Sequence, residues 1–289
     1  FAWQMQKKGH NLLFTCRNKE FEIELLNTYG FSYKSFGKKK SSRTGKLFGL
    51  VEFDFKEVVA GLGFEPDVFV SHGSIYAAHA AFLLRKPHIS LEDTFNFEQI
   101  RLYLPFTAAV LSGDYAHPSL GSKEIRYTGY HELAYLHPNR FKPDPSILKV
   151  LGIENGEKYV ILRFIAWSAS HDYGHKGISY KNKLNAIHQI QKYARVFISS
   201  ELDLIGDLKP YKLNISPEKL HDALAFASLI WAESFTIPAE CSVLGVPSVI
   251  NHSTQSCYLF EQERKYQLCY NFTESEEDQA KAINKIIDL

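Results

Sequence analysis

Between Ala227 and Asn251 the chain places an apolar run, Leu229-Ile230-Trp231-Ala232, against a polar turn, Glu233-Ser234-Phe235-Thr236. Glu240 is then expected in the first turn of a helix that stops at Leu244-Gly245, and Val246–Ile250 begins a further strand. A carboxylate beside a helix N-terminus suits a nucleoside diphosphate. Backbone amides and the helix dipole meet the phosphates, the carboxylate meets the ribose hydroxyls, and Ser234 and Thr236 add hydroxyl groups.

A second constellation runs from Arg163 to Gly177 and follows a candidate strand. Arg163 and Lys176 can neutralise a diphosphate, Ser168 and Ser170 can hydrogen-bond its oxygens, and His171-Asp172 has the make-up of an acid–base or orienting pair. The plainer alternative is a long polar loop in which Asp172 only holds the shape. A third, Lys86–Thr94, ends a strand with the adjacent carboxylates Glu92 and Asp93. Asp93 is the candidate general base toward a sugar hydroxyl, and capping of the next helix is the competing role. A fourth, Val70–Ser74, offers His72 as a base, a phosphate contact or an ordinary loop histidine. The run Gly37–Leu50 is not a phosphate-binding P-loop, because its glycine spacing is wrong and Leu47 follows Lys46 where Ser or Thr is needed. Its lysines beside Leu47, Phe48 and Leu50 suit either an anionic membrane surface, as a peripheral contact through Lys38–Leu50, or a solvated loop.

Alternating strands and helices must carry these groups. Strands are predicted at Asn11–Thr15, Ser32–Phe36, Val68–Ser71, His88–Leu91, Ala108–Leu111 and Ile125–Tyr127, and helices at Lys19–Thr28, Phe55–Gly61 and Ile75–Leu84. After the proline-rich segment Pro138–Pro145, read as a linker, the alternation restarts. It continues with Tyr159–Phe164 (strand), Lys183–Lys192 (helix), Ala194–Ile198 (strand), Pro217–Ala227 (helix, Ser216 as N-cap) and a closing helix over Glu276–Ile287 with Ser275 as N-cap. Repeated βα units predict parallel sheets covered by helices, hence an α/β protein of two Rossmann-like domains with a cleft between them. The chain opens on a helical pattern, so a strand preceding it is expected to be missing from the sequence.

At 289 residues with a net charge of +1, the chain carries no charge excess that would draw it to nucleic acid. Cys16, Cys241, Cys257 and Cys269 show no metal-ligand spacing and are expected as reduced thiols of a cytoplasmic protein. No sequence-local cluster suggests a metal, and no apolar run reaches the roughly 18 residues of a membrane span.

Ala232–Pro247 resembles the donor-binding motif of GT-B glycosyltransferases and of non-hydrolysing UDP-GlcNAc 2-epimerases. Glu240 falls on their ribose-binding glutamate, and Leu244, Gly245 and Pro247 fall on the closing Leu-Gly-x-Pro step. Through Ser71–Ser74, Tyr130–Pro138 and Arg163–Gly177, the whole chain is similar to a family of predicted glycosyltransferases of unknown function in archaea and bacteria. That family is related also to the GlcNAc transferase of lipid-linked peptidoglycan precursors. The resemblance implies a GT-B-like fold with an acceptor-side domain over 1–140 and a nucleotide-sugar domain over 141–289. It implies metal- and cofactor-independent transfer of a sugar from a UDP-linked or similar donor to a glycan or lipid-linked acceptor. The setting would be surface polysaccharide synthesis, in the cytoplasm or at the inner face of the membrane. Epimerisation or hydrolysis of a nucleotide-sugar, and non-catalytic binding of one, are the alternatives. Two departures stand out: Phe235 replaces a small turn residue, and His88–Thr94 matches the epimerase His-x-Glu-Ala-Gly segment only at His88.

Overall fold

The computed structural model describes residues 1–18, 21–38, 43–165, 177–200, 203–254 and 256–289, with the side chains of 43–48 left out. Two compact units divide the chain, Phe1–His131 and Glu132–Leu289. The first contains, in order, α1 (Ala2–Lys7), β1 (Phe14–Cys16), α2 (Glu22–Thr28), β2 (Tyr33–Ser35), α3 (Arg43–Phe64), β3 (Phe69–His72), α4 (Ile75–Leu83), β4 (His88–Glu92), α5 (Phe97–Tyr103), β5 (Ala109–Gly113) and β6 (Glu124–Tyr127). Strands β1 and β2 pair in parallel, and β3-β4-β5-β6 form a second parallel sheet in chain order. All four carboxyl ends of that sheet therefore lie along one edge, where loops can converge on a ligand.

In the first unit the segment expected as a loop over Lys38–Leu50 is in part helix, because α3 runs for 22 residues from Arg43. Residues 39–42 lie outside the described residues. Glycines within a helix normally weaken it, and here packing overrides that tendency. At Gly61 a β-carbon would stand 2.5 Å from Leu84 Cδ1 and 3.0 Å from the Phe69 ring, so the glycine permits the close approach of α3 to β3 and α4. Ala77, Ala80 and Ala81 of α4 are buried in the same cluster.

The second unit contains α6 (Leu133–Leu136), α7 (Ser146–Val150), β7 (Tyr159–Phe164), α8 (Tyr180–Ile190), β8 (Arg195–Ser200), α9 (Leu220–Ala225), β9 (Leu229–Ala232), α10 (Thr236–Leu244), β10 (Ser248–Asn251), α11 (Cys257–Tyr266), β11 (Cys269–Phe272) and α12 (Glu276–Asp288). Its parallel sheet has the order β11-β10-β9-β7-β8. Strand residues alternate between faces, and both faces are covered. Val160, Leu162, Phe164, Leu229 and Trp231 pack with Ile187, Ile190, Ile283 and Ile286 on one side. Tyr159, Ile161, Ile230 and Ala232 pack with Leu224, Ile237 and Cys241 on the other. Truncating Ile161 or Leu162 to alanine is expected to cost about 2–5 kcal/mol.

Local signals set the helix ends. Ser179 and Ser275 accept from Asn182 N and Asp278 N as N-caps, and Gly245, at φ +80, closes α10 in the left-handed conformation. Ser216 takes the expected N-cap position ahead of Pro217, but its hydroxyl caps no backbone N–H. It donates to Glu218, a 3-10 turn covers Pro217–Lys219, and the α-helix starts only at Leu220. The segment Pro138–Pro145 lies wholly in the second unit. Among the described residues, no helix is long and apolar enough to cross a membrane.

Candidate functional site

In the first unit, β3 ends at His72 and β4 ends at Glu92, so His72 and Asp93 meet at the carboxyl edge of the sheet, with Nε2 to Oδ1 at 3.2 Å. Beyond β6 the chain turns back and brings the His131 ring to 5.5 Å from that of His72, edge to face. Burial works against the Asp93 carboxylate. Hydrogen bonds from His72 and Thr94 and the nearby His131 outweigh it and hold the carboxyl below its usual range. Burial holds the His131 ring below the ordinary histidine range, with the Asp93 charge pulling the other way.

The turn that presents His72 is locked from beneath. Gly73 has φ +60, which favours glycine, and its N–H donates to Ser90 Oγ. Ser74 caps α4, and its N–H donates to Ser71 Oγ. The Ser71 hydroxyl bonds His88 Nε2 at 2.9 Å, His88 Nδ1 bonds Thr107 Oγ1 at 2.9 Å, and the Thr107 hydroxyl donates to the Tyr103 carbonyl. The Thr107 hydroxyl is spent on that carbonyl, so His88 Nδ1 must donate to it. Burial pushes the His88 pKa down to about 4, so above that value the ring is neutral with its proton on Nδ1 and its Nε2 accepting from Ser71. Glu92, also buried, accepts from Thr94 N, Phe95 N and the Tyr103 hydroxyl. The two adjacent carboxylates thus divide their work. Glu92 shapes the turn, Asp93 faces His72, and the cap of α5 is neither of them but Asn96.

In the second unit the strand order reverses between β7 and β9, with β8 on the far side of β7. Such a switch point is where open α/β sheets hold ligands. Glu233, fully buried, follows β9 at that point. Its carboxylate accepts from Ile165 N at 3.0 Å and Ile178 N at 2.7 Å and pairs with Lys183 Nζ at 3.0 Å. One side chain thereby ties down both flanks of segment 166–176. Seven residues further, Glu240 is 7% exposed, and its Oε1 accepts from the Tyr135 hydroxyl and from His221 Nε2, each at 3.0 Å. Two hydrogen-bond partners on one oxygen fix the carboxylate's orientation.

Glu240 does not lie in the first turn of its helix. Helix α10 starts at Thr236, and Pro238 is absorbed within its first turn, where a missing N–H breaks no helical bond; Glu240 falls in the second. Ser234 is half-buried and Thr236 exposed at that helix start, and the Phe235 ring packs tilted against that of His252 with centroids 4.4 Å apart. Arg163 belongs to β7 itself and donates to Ser199 Oγ on β8 at 3.0 Å. Ser168, Ser170, His171, Asp172 and Lys176 lie outside the described residues. A recess of about 610 Å³ in the second unit, lined by Pro145, Leu148, Tyr159 and Phe226 among others, contains none of the candidate side chains. Sequence reasoning passed over Glu233, which sits in a polar turn and has partners remote along the chain. It also assigned no role to His131, whose neighbours come from other strands.

A family model described as "Protein of unknown function (DUF354)" matches residues 2–268. No protein of curated function matches significantly. Among solved structures, UDP-GlcNAc 2-epimerase from Neisseria meningitidis bound to UDP-GlcNAc superposes with a TM-score of 0.64 at 16% identity, covering 96% of this chain and 91% of that one. The UDP-GlcNAc 2-epimerase from Methanocaldococcus jannaschii gives 0.62 at 11% identity, covering 97% and 93%. The spinosyn rhamnosyltransferase SpnG complexed with spinosyn aglycone gives 0.58 at 12% identity, covering 99% and 85%. At these identities the likeness establishes the fold, which is GT-B-like.

Proposed function

The chain belongs to this family of unknown function, and we propose that it is a glycosyltransferase moving a sugar from a nucleotide-sugar, UDP-linked, to a glycan or lipid-linked acceptor in surface polysaccharide synthesis. The observation that carries this reading is the His72–Asp93 pair at 3.2 Å on the carboxyl edge of the first unit's sheet. An imidazole oriented by a carboxylate is suited to take a proton from a hydroxyl. In the proposed step the acceptor oxygen loses its proton to His72 and bonds the anomeric carbon. The bond from that carbon to the diphosphate breaks, and the nucleoside diphosphate leaves with the electron pair. Glu240 would hold the donor ribose, with Ser234, Thr236 and the first amides of α10 on the diphosphate. Arg163, Ser168, Ser170 and Lys176 would share the departing charge, and His171 and Asp172 are reserve candidates for acid–base work.

The neighbours bound to UDP-GlcNAc and to an aglycone favour a donor and an acceptor of these classes. A peripheral membrane contact through Lys38–Leu50 would suit a lipid-linked acceptor. The third position of His88-Ile89-Ser90 is a buried serine where the epimerase segment has glutamate, which weighs toward transfer.

A thermal-shift panel of UDP-, GDP-, CMP- and dTDP-sugars identifies the donor, since a ligand of the folded state raises stability with its concentration. Product analysis with that donor then tests the reaction. Glycosylated acceptor is the expected result. An epimer or free sugar moves the chain to the epimerase or hydrolase class, and a bound donor without turnover makes it a binding protein.

A further inference from the structure

The geometry points to a binding site for a divalent transition-metal ion, with zinc as the representative case, formed by His72, Asp93 and His131. One ligand atom from each of the three residues lies within 4.8 Å of the other two. Tetrahedral zinc, with donors about 2.1 Å away, needs them roughly 3.4 Å apart. The 3.2 Å between His72 and Asp93 already meets that spacing. His131 then has at most about 1.4 Å to close, since all three atoms lie within 4.8 Å of one another.

The surroundings are those of a ligand set. His131 Nδ1 is hydrogen-bonded to the Tyr127 hydroxyl, while its Nε2 is buried with no hydrogen-bond partner among the described residues. A buried imidazole nitrogen without a partner is costly, and an ion would supply the partner. Tyr127 orients the ring through the other nitrogen, as the outer shell of a metal-bound histidine does. The Thr94 hydroxyl donates to Asp93 Oδ1 at 2.8 Å and so holds that carboxylate in place. Two imidazole nitrogens and one carboxylate oxygen suit a first-row transition ion, whereas magnesium and calcium call for an all-oxygen set. Three protein ligands leave a fourth position for a water or hydroxyl oxygen, whose pKa the ion lowers.

Binding of the ion is independent of the transferase reading. Only its use rests on that reading, since in the loaded protein His72 is a ligand and the ion-bound oxygen would meet the acceptor's proton.

The test uses the full chain, stripped with chelator and titrated with Co²⁺, followed by its visible ligand-field bands, and with Zn²⁺ by calorimetry. We expect one ion per chain. His131→Ala and His72→Ala should each weaken it by more than about 100-fold and Tyr127→Phe by about tenfold, with no binding of Mg²⁺ at millimolar concentration. Zinc affinity unchanged in His131→Ala overturns the site. X-ray absorption on the zinc-loaded wild type decides the matter should the variants fail to fold. Nitrogen and oxygen ligands alone at about 2.0–2.1 Å support it, and a sulfur at about 2.3 Å places the ion on a cysteine and refutes it. Transfer by a chain that binds no ion would sink this site and leave the transferase reading standing.

Discussion

A histidine half in solvent points anywhere until something holds it, and what holds His72 is Asp93. Asp93→Asn keeps the shape and removes the charge. We expect turnover to fall about 100-fold or more with donor affinity little changed, in steady-state kinetics with the identified donor. His72→Gln should do the same, and the double variant should be no worse than the singles, because the two act as one unit. Full activity in Asp93→Asn would remove the pair from the chemistry. Glu240→Ala should weaken nucleotide binding by about 1–3 kcal/mol, read by calorimetry, with smaller losses in Tyr135→Phe and His221→Ala. Equal affinity in a folded Glu240→Ala protein would strike the ribose assignment. His72, Asp93 and Glu240 were legible one at a time, as polar residues at strand ends and in a helix. That His72 and Asp93 touch was not legible, because parallel pairing of β3 with β4 joins residues 21 apart in the sequence.

The same limit acts on whole elements. Strands β7 and β9 could be read to the residue, since fully buried strands are short apolar runs. Helix α3 was read as a short helix behind a basic loop, because Gly45, Gly49, Gly61 and Gly63 look like punctuation. The reason for Gly61 is a contact with Leu84 and Phe69 that no local pattern announces. Helix α10 starts at Thr236, inside the stretch that reads as a polar turn, and that puts Glu240 one turn deeper than its sequence suggests. Glu233 was overlooked because charged turn residues are usually exposed, and its burial follows from two amides and a lysine on other elements. Glu233→Gln would keep the size, loosen both amide bonds and leave Lys183 without its counter-charge. We expect a loss of about 3 kcal/mol in urea unfolding and faster hydrogen exchange at Ile165 and Ile178. Unchanged protection of those two amides would refute the tether.

For the molecule as a whole, two buried groups of the first unit tilt stability with pH in opposite directions. Glu57 accepts from Thr15 Oγ1 at 2.9 Å and joins α3 to β1. Burial pushes its carboxyl up to about 7 from an unfolded value near 4.5. The folded form then holds more protons than the unfolded form between those values. Its stabilising share is complete below about pH 4.5 and is lost as pH rises to 7. His88 sits at about 4 against an ordinary 6.5, so its share is present above 6.5 and is lost as pH falls to 4. Glu57→Gln should therefore gain on the wild type by about 1–3 kcal/mol between pH 4.5 and pH 8, compared by denaturant unfolding at the two values. An equal difference at both would mean that Glu57 titrates normally. The tether at Glu233 has a further consequence. A segment whose two ends are pinned by a single carboxylate can exchange its contents without disturbing the scaffold. Ile165 and Ile178 are two such fixed ends. A change of sequence between those two ends should leave the midpoint of urea unfolding little altered so long as Glu233 stays.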